Sequence, residues 1–256
     1  SCLAAIACMF YLGGNVSDSV IIPLMLVTSV VAGALWAVIP AIFKAKFNTN
    51  ESLFTLMMNY IAQGLVSLCI TIWVKSGSGV LSPLEHGNIP EIGNKYLLPI
   101  IMFVLVTVFM HIYLRSAKHG YEISVVGESQ NTARYIGINV KKVIIRTMII
   151  SGALCGLAGF LLVAGTDHSV AKETVDSRGF TAIMVSWLAK FNPLIMVLTS
   201  FLLVFLDIGA GEMSSTLGLN ESYGEILTGI ILFFIIGCEF LLQYKIVFTK
   251  NRKENA

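Results

Sequence analysis

Residues Ser19–Phe43 read SVIIPLMLVTSVVAGALWAVIPAIF, an unbroken run without one charged side chain. A helix rising about 1.5 Å per residue needs roughly 20 such residues to cross a hydrocarbon core of about 30 Å. Pro23, Gly33 and Pro40 do not argue against a helix there, because a backbone in hydrocarbon has only itself to bond to. Ser52–Val74, Tyr96–Leu114 and Thr147–Thr166 repeat the pattern. Phe191–Leu206 is shorter, and Ile226–Tyr244 is interrupted only by Glu239. Val175–Ala189 is apolar but holds Asp176 and Arg178, and reads as a short or re-entrant helix. Ser1–Leu12 reads as the end of a membrane helix, so an N-terminally truncated chain is expected. The expected fold is all-α: one polytopic transmembrane bundle over residues 1–256, with a tail at 247–256. A transmembrane β-barrel would alternate apolar and polar residues in short segments, and this chain does not.

Composition points the same way. Of 256 residues 56% are hydrophobic and 12% charged, with a mean hydropathy of +0.81. A soluble globule of that composition could not cover its own surface. The net charge of +2 gives no preference for polyanions, so no nucleic-acid partner is expected. Cys2, Cys8, Cys69, Cys155 and Cys238 all lie in apolar runs without ligand spacing. They read as packing residues rather than as a metal or disulfide framework.

The distribution of Lys and Arg sets the orientation. Lys44 and Lys46, the six basic residues from Arg115 to Arg146, Lys190, and four more after Tyr244 fall on one side. Lys75, Lys95, Lys172 and Arg178 fall on the other, with most of the acids. The richer side is expected to be cytoplasmic. Asn192-Pro193 suits an inner turn, since Pro fits the first turn of a helix. Trp73 and Tyr96 at the outer boundary and Tyr113 and Tyr244 at the inner one suit the headgroup level.

Gly33-Ala34-Leu35 recurs as Gly152-Ala153-Leu154, and Phe54–Met58 recurs in outline as Phe180–Met184. The second copies run opposite to the first, a faint inverted repeat of the kind found in transporters. Gly152, Gly156 and Gly159 give one helix a small-residue face for close packing. Within Ser52–Val74 the polar residues Thr55, Asn59, Gln63, Ser67 and Thr71 recur every fourth position. Asn59, Gln63 and Ser67 lie within an arc of about 80°. Amides in hydrocarbon are costly unless paired or facing water. A substrate pathway is the preferred reading for Asn59 and Gln63, and hydrogen bonding inside the bundle for Thr55 and Thr71. Glu239 is read as the one acid well inside a span, held by a structural hydrogen bond in preference to a proton-coupled role. Asp207 and Gly209-Ala210-Gly211 read as a helix end and turn at the outer face.

Between two spans, Arg115–Arg146 reads RSAKHGYEISVVGESQNTARYIGINVKKVIIR. It is too polar for the membrane and too patterned for a linker. Gly127 and Gly137 bracket ESQNTARYI, whose middle can form a short helix with Glu128 near its start and Arg134 near its end. Such a stub could pass a push to a soluble partner or could lie on the membrane surface; spacing alone leaves both open.

The stretch GESQNTARYIGIN resembles the coupling-loop motif of bacterial ABC-importer permeases of the branched-chain amino acid, simple-sugar and nucleoside uptake group. Gly127, Glu128, Ala133, Arg134, Gly137 and Ile138 match in order. Lys46–Ala62 (KFNTNESLFTLMMNYIA) and Asp176–Leu194 (DSRGFTAIMVSWLAKFNPL) resemble two further stretches of this family, the first closest to its nucleoside and simple-sugar branch. Ser186-Trp187 departs from the pattern, where small or aliphatic residues are commoner. The resemblance implies a dimeric channel formed with a second, homologous permease. It also implies a cytoplasmic ABC ATPase docked on the coupling loop and a solute-binding lipoprotein outside. Membrane lipid is the remaining partner. The chain has no GxxxxGK[ST] loop and no Gly-rich phosphate cradle, so it is expected to hydrolyse nothing and to hold no cofactor. No HExxH, buried Asp pair or Gly-x-Ser-x-Gly marks an enzyme, and no metal or catalytic residue is expected. Nucleosides are expected ahead of simple sugars as the cargo. An ion-gradient-driven secondary transporter or channel is the alternative.

Overall fold

A computed structural model describes residues 1–13, 17–74, 81, 96–169 and 178–218, with isolated positions from 223 to 237. Among these residues all regular structure is helical. The helices are α1 (Cys2–Leu12), α2 (Asp18–Phe47), α3 (Glu51–Trp73), α4 (Leu97–Ser116), α5 (Lys118–Glu128), α6 (Gln130–Tyr135), α7 (Val140–Leu162), α8 (Arg178–Leu188) and α9 (Pro193–Thr216). A π-turn, Val163–Asp167, continues α7. Five helical stretches are long and apolar enough to cross a membrane: Ser19–Phe47, Glu51–Trp73, Leu97–Ser116, Val140–Gly165 and Pro193–Thr216. The protein is a multi-pass membrane protein of the all-α class. It divides into two compact units, Ser1–Asp176 and Ser177–Ala256.

Short polar side chains start four of the helices. The side-chain oxygens of Asn50, Ser129, Asn139 and Asn192 accept the backbone N–H groups of Leu53, Thr132, Lys142 and Leu194. Each satisfies a donor that the helix itself leaves free. Asn192 caps α9 with Pro193 in its first turn, as the Asn-Pro pair suggests. At the end of α8, Lys190 and Phe191 take positive φ angles of 49° and 59°.

The first unit is built on the crossing of α2 and α7. α2 buries Ile21, Met25, Ser29, Gly33, Ala41 and Ala45, every fourth residue except the half-buried Ala37. Steps of four drift by about 40°, so this seam winds round the helix and meets different neighbours along its length. Towards the N-terminus of α2, α1 fills it with Ala5, Ile6 and Met9. In the middle α7 meets it through glycines. A Cβ on Gly33 would strike the carbonyl oxygen of Gly152, and one on Gly156 would lie 2.5 Å from the carbonyl oxygen of Ser29. No side chain fits at either place. Lipid tails are as apolar as Leu, so hydrophobicity cannot hold two helices together here; close backbone approach and hydrogen bonds can. Ser29, fully buried, donates its Oγ–H to the Gly156 carbonyl at 2.7 Å. The small-residue face of α7 therefore serves packing, and the two Gly-Ala-Leu segments lie against each other.

α3 joins this core through Ile70. At its C-terminal end the Trp73 indole N–H donates to the Tyr11 hydroxyl at 3.1 Å, while Phe10 stacks on the Trp73 ring. Among the described residues of α4 none is buried.

Two boundaries differ from the sequence expectation. α7 begins at Val140 instead of Thr147, because Asn139 caps it and the helix carries Lys141, Lys142 and Arg146 before the apolar run. α9 runs through Asp207 and Gly209-Ala210-Gly211 to Thr216 instead of turning there. Glycine weakens a helix by about 1 kcal/mol relative to alanine, less than an unpaired backbone group costs in hydrocarbon. The chain turns at Gly218, where φ reaches 66°. Asp207 thus lies inside a helix long and apolar enough to span, so an acid other than Glu239 occupies a candidate span.

Candidate functional site

The segment between α4 and α7 folds into two helices. Gly120 is buried at the start of α5, where a Cβ would strike the Leu114 carbonyl oxygen at the end of α4. Ser129 alone joins α5 to α6. Its N–H closes α5 on the Val125 carbonyl at 3.0 Å, and its Oγ accepts the Thr132 N–H at 3.3 Å. At the far end of α6 the Ile138 N–H reaches the Ala133 carbonyl at 2.9 Å and the Gly137 N–H reaches Arg134 at 3.1 Å. This is a Schellman cap, and it needs the left-handed φ of 82° that Gly137 adopts. Ala133 is fully buried beneath the stub. Arg134 is exposed, as are Ile136 and Tyr135, the last at 91%.

Of the two glycines expected to bracket the short helix, Gly137 closes α6 and Gly127 does not open it. Gly127 lies inside α5, and Glu128 is the last residue of that helix instead of lying near the start of the short one. Ser129 takes the capping place because its short hydroxyl can reach the backbone of Thr132. Ala133, Arg134, Gly137 and Ile138 do come together in α6 and its cap.

One contact here carries no sequence signal. Arg146 of α7 donates from Nη2 to Glu122 Oε2 of α5 at 2.7 Å, and His119 Nδ1 lies 3.6 Å from the same oxygen. The guanidinium, with a smaller contribution from His119, holds the Glu122 carboxyl below its ordinary value. A lowered carboxyl pKa means the pair is complete above the ordinary glutamate value. It is lost only as pH falls through the lowered one. Glu122 and Arg146 are separated by 24 residues, beyond any helical spacing rule.

On α3 the polar ladder divides. Thr55 and Thr71 bond back to their own helix, on the Glu51 carbonyl at 2.9 Å and the Ser67 carbonyl at 2.8 Å. Neither bond crosses to another helix. Gln63 and Ser67, with Thr71, line a shallow, open groove along one face of α3. Tyr60, Leu68 and Ile72 form its other edges, and at Gly64 the space a Cβ would fill is empty. Asn59 is exposed on α3 but does not line this groove. Tyr60, 65% exposed, carries no sequence signal of its own beyond standing one turn before Gly64. Glu239 lies outside the described residues, as does the tail at 247–256.

The family profile described as "Branched-chain amino acid transport system / permease component" matches residues 1–236. The chain is 33% identical to a guanosine ABC transporter permease of Bacillus subtilis, over 92% of this chain and 69% of that protein. It is 25% identical to a glucose ABC transporter permease of Haloferax volcanii, over 92% of this chain and 66% of that protein. It is 26% identical to a nucleoside ABC transporter permease of Lactococcus lactis, over 87% and 65% respectively. The chain thus spans about two thirds of the length of these relatives. No solved structure matches it. A bundle of spanning helices, a capped stub between two of them and similarity along nearly its whole length lead to one conclusion: the chain belongs to the permease family of branched-chain amino acid transport systems, on the branch that holds nucleoside and simple-sugar permeases.

Proposed function

We propose that this chain is the transmembrane subunit of an ABC importer that moves nucleosides, ahead of simple sugars, across the cell membrane. The observation that carries the mechanism is α6. It is capped at both ends, seated on a buried Ala133, and presents Arg134, Tyr135 and Ile136 outward. Arg and Tyr are the side chains that anchor protein interfaces. A cytoplasmic ATPase docks on this stub and supplies the work, while a second, homologous permease completes the channel. A solute-binding lipoprotein delivers the cargo outside.

Asn59, Gln63 and Ser67 form the pathway side of α3. Their amides and hydroxyl can exchange hydrogen bonds with the hydroxyls of a sugar or the edge of a base. The guanosine and nucleoside permeases among the relatives support the choice of cargo. The unburied apolar surface of α4 faces lipid.

Photocrosslinking from Tyr135 in intact cells tests the docking. Capture of a nucleotide-hydrolysing subunit is expected, and its consistent absence removes the importer reading. Labelled guanosine uptake that vanishes when that subunit is deleted supports the same reading. Asp207 inside α9 favours one competitor, an ion-gradient-driven carrier. Uptake that survives loss of the ATPase but collapses with the proton or sodium gradient would establish it.

A further inference from the structure

α5, α6 and α7 are joined by very little chain. Ser129 alone separates α5 from α6, and residues 136–139 separate α6 from α7. Two such short links would let α6 swing on them if nothing held α5 to α7. The Glu122–Arg146 pair does so at 2.7 Å, joining the first half of α5 to the second turn of α7. It is no solvated surface pair: Glu122 exposes 18% of its side chain and Arg146 31%, and Arg146 Nε is buried without a hydrogen-bond partner. Beyond Arg146, α7 carries no further charge to its end at Leu162. Arg146 is therefore the basic residue set deepest along that helix, where an unpaired guanidinium is costly.

α7 has no slack on its other side. Gly152 and Gly156 meet the backbone of α2 around Gly33 and Ser29, and Ser29 bonds across the crossing. A displacement of α7 is thus passed on to α2.

Building on the coupling reading, we propose that Glu122 and Arg146 are positioning residues that lock α5, α6 and α7 into one lever, so that movement of α6 becomes movement of the α2–α7 crossing. With the pair broken, the ATPase still docks and hydrolyses, but α6 turns on its two links and the stroke is dissipated. His119 is a secondary partner of the same carboxylate.

The test uses the assembled transporter in proteoliposomes with its ATPase, partner permease and binding lipoprotein. Three quantities are read: ATPase retained on purification, ATP hydrolysed, and solute taken up per ATP. Glu122→Gln and Arg146→Gln are each expected to keep the first two and to lower the third by roughly tenfold. The double variant Glu122→Gln/Arg146→Gln is expected to be no worse than either single one, since both remove the same contact. Arg146→Lys, which keeps the charge on a shorter, unforked group, is expected to recover part of the ratio. Unchanged solute per ATP in both single variants overturns the proposal. So do fully additive losses in the double variant, which would mean two independent roles. A wild-type chain that retains no ATPase at all overturns the coupling reading beneath it, and the wild-type lane alone shows that.

Discussion

At Gly137 the backbone holds a φ of 82° with no atom near the place a Cβ would take. The demand is conformational and not spatial. Gly137→Ala is expected to cost about 1 kcal/mol by forcing an L side chain into the left-handed region. The measurable result is a fraying C-terminus of α6, with faster amide exchange at Ile138 and reduced ATP-dependent uptake. Exchange and uptake both at wild-type levels would mean that the Schellman cap does not hold the stub. Gly137 was legible in the sequence because a glycine after a short polar helix has a known use. Ser129 was equally legible by type, but Glu128 beside it drew the reading through its charge. Glu122 and Arg146 were not legible. Each looks like an ordinary loop charge until the chain between them folds, and no periodicity links them.

Among the helices, the contact of α2 with α7 is the one whose chemistry is most exposed to substitution. Gly156→Ala would place a methyl 2.5 Å from the Ser29 carbonyl oxygen and 2.7 Å from the Val30 Cα. Backbone atoms cannot rotate away, so overpacking of about 1–3 kcal/mol is expected. Gly209→Ala in α9 is the matched control: nothing lies within 4 Å, and helix propensity alone should give a gain of up to about 1 kcal/mol. Thermal unfolding in detergent distinguishes them, and equal melting points for the two variants would contradict the packing account. Hydropathy located all five long spans among the described residues. It misplaced the start of α7 and the end of α9, because hydropathy reports where lipid is and capping reports where the helix is. Asn139 extends α7 into a charged segment, and α9 continues past Asp207 for lack of any breaker stronger than glycine. The groove on α3 was partly readable: Gln63 and Ser67 from their polarity, but not Tyr60, which has the look of an ordinary interfacial aromatic.

For the molecule as a whole, the bias of Lys and Arg predicts which side of the membrane the stub occupies. In a background without native cysteines, Tyr135→Cys should resist a membrane-impermeant maleimide in intact cells and react once the membrane is opened. Labelling of intact cells would invert the topology and take the docking site away from any cytoplasmic engine. Seen at this scale, the repeated Gly-Ala-Leu acquires a meaning that the string could only hint at. The carbonyl of Gly152 occupies the space beside Gly33, and the carbonyl of Gly33 lies 2.5 Å from where a Cβ on Gly152 would stand. Each residue is small on the other's behalf. Two methyl groups added there would compete for a single vacancy: once the first has wedged the pair apart, the second would enter for much less, and neither position can drift in size without altering what its counterpart is free to become.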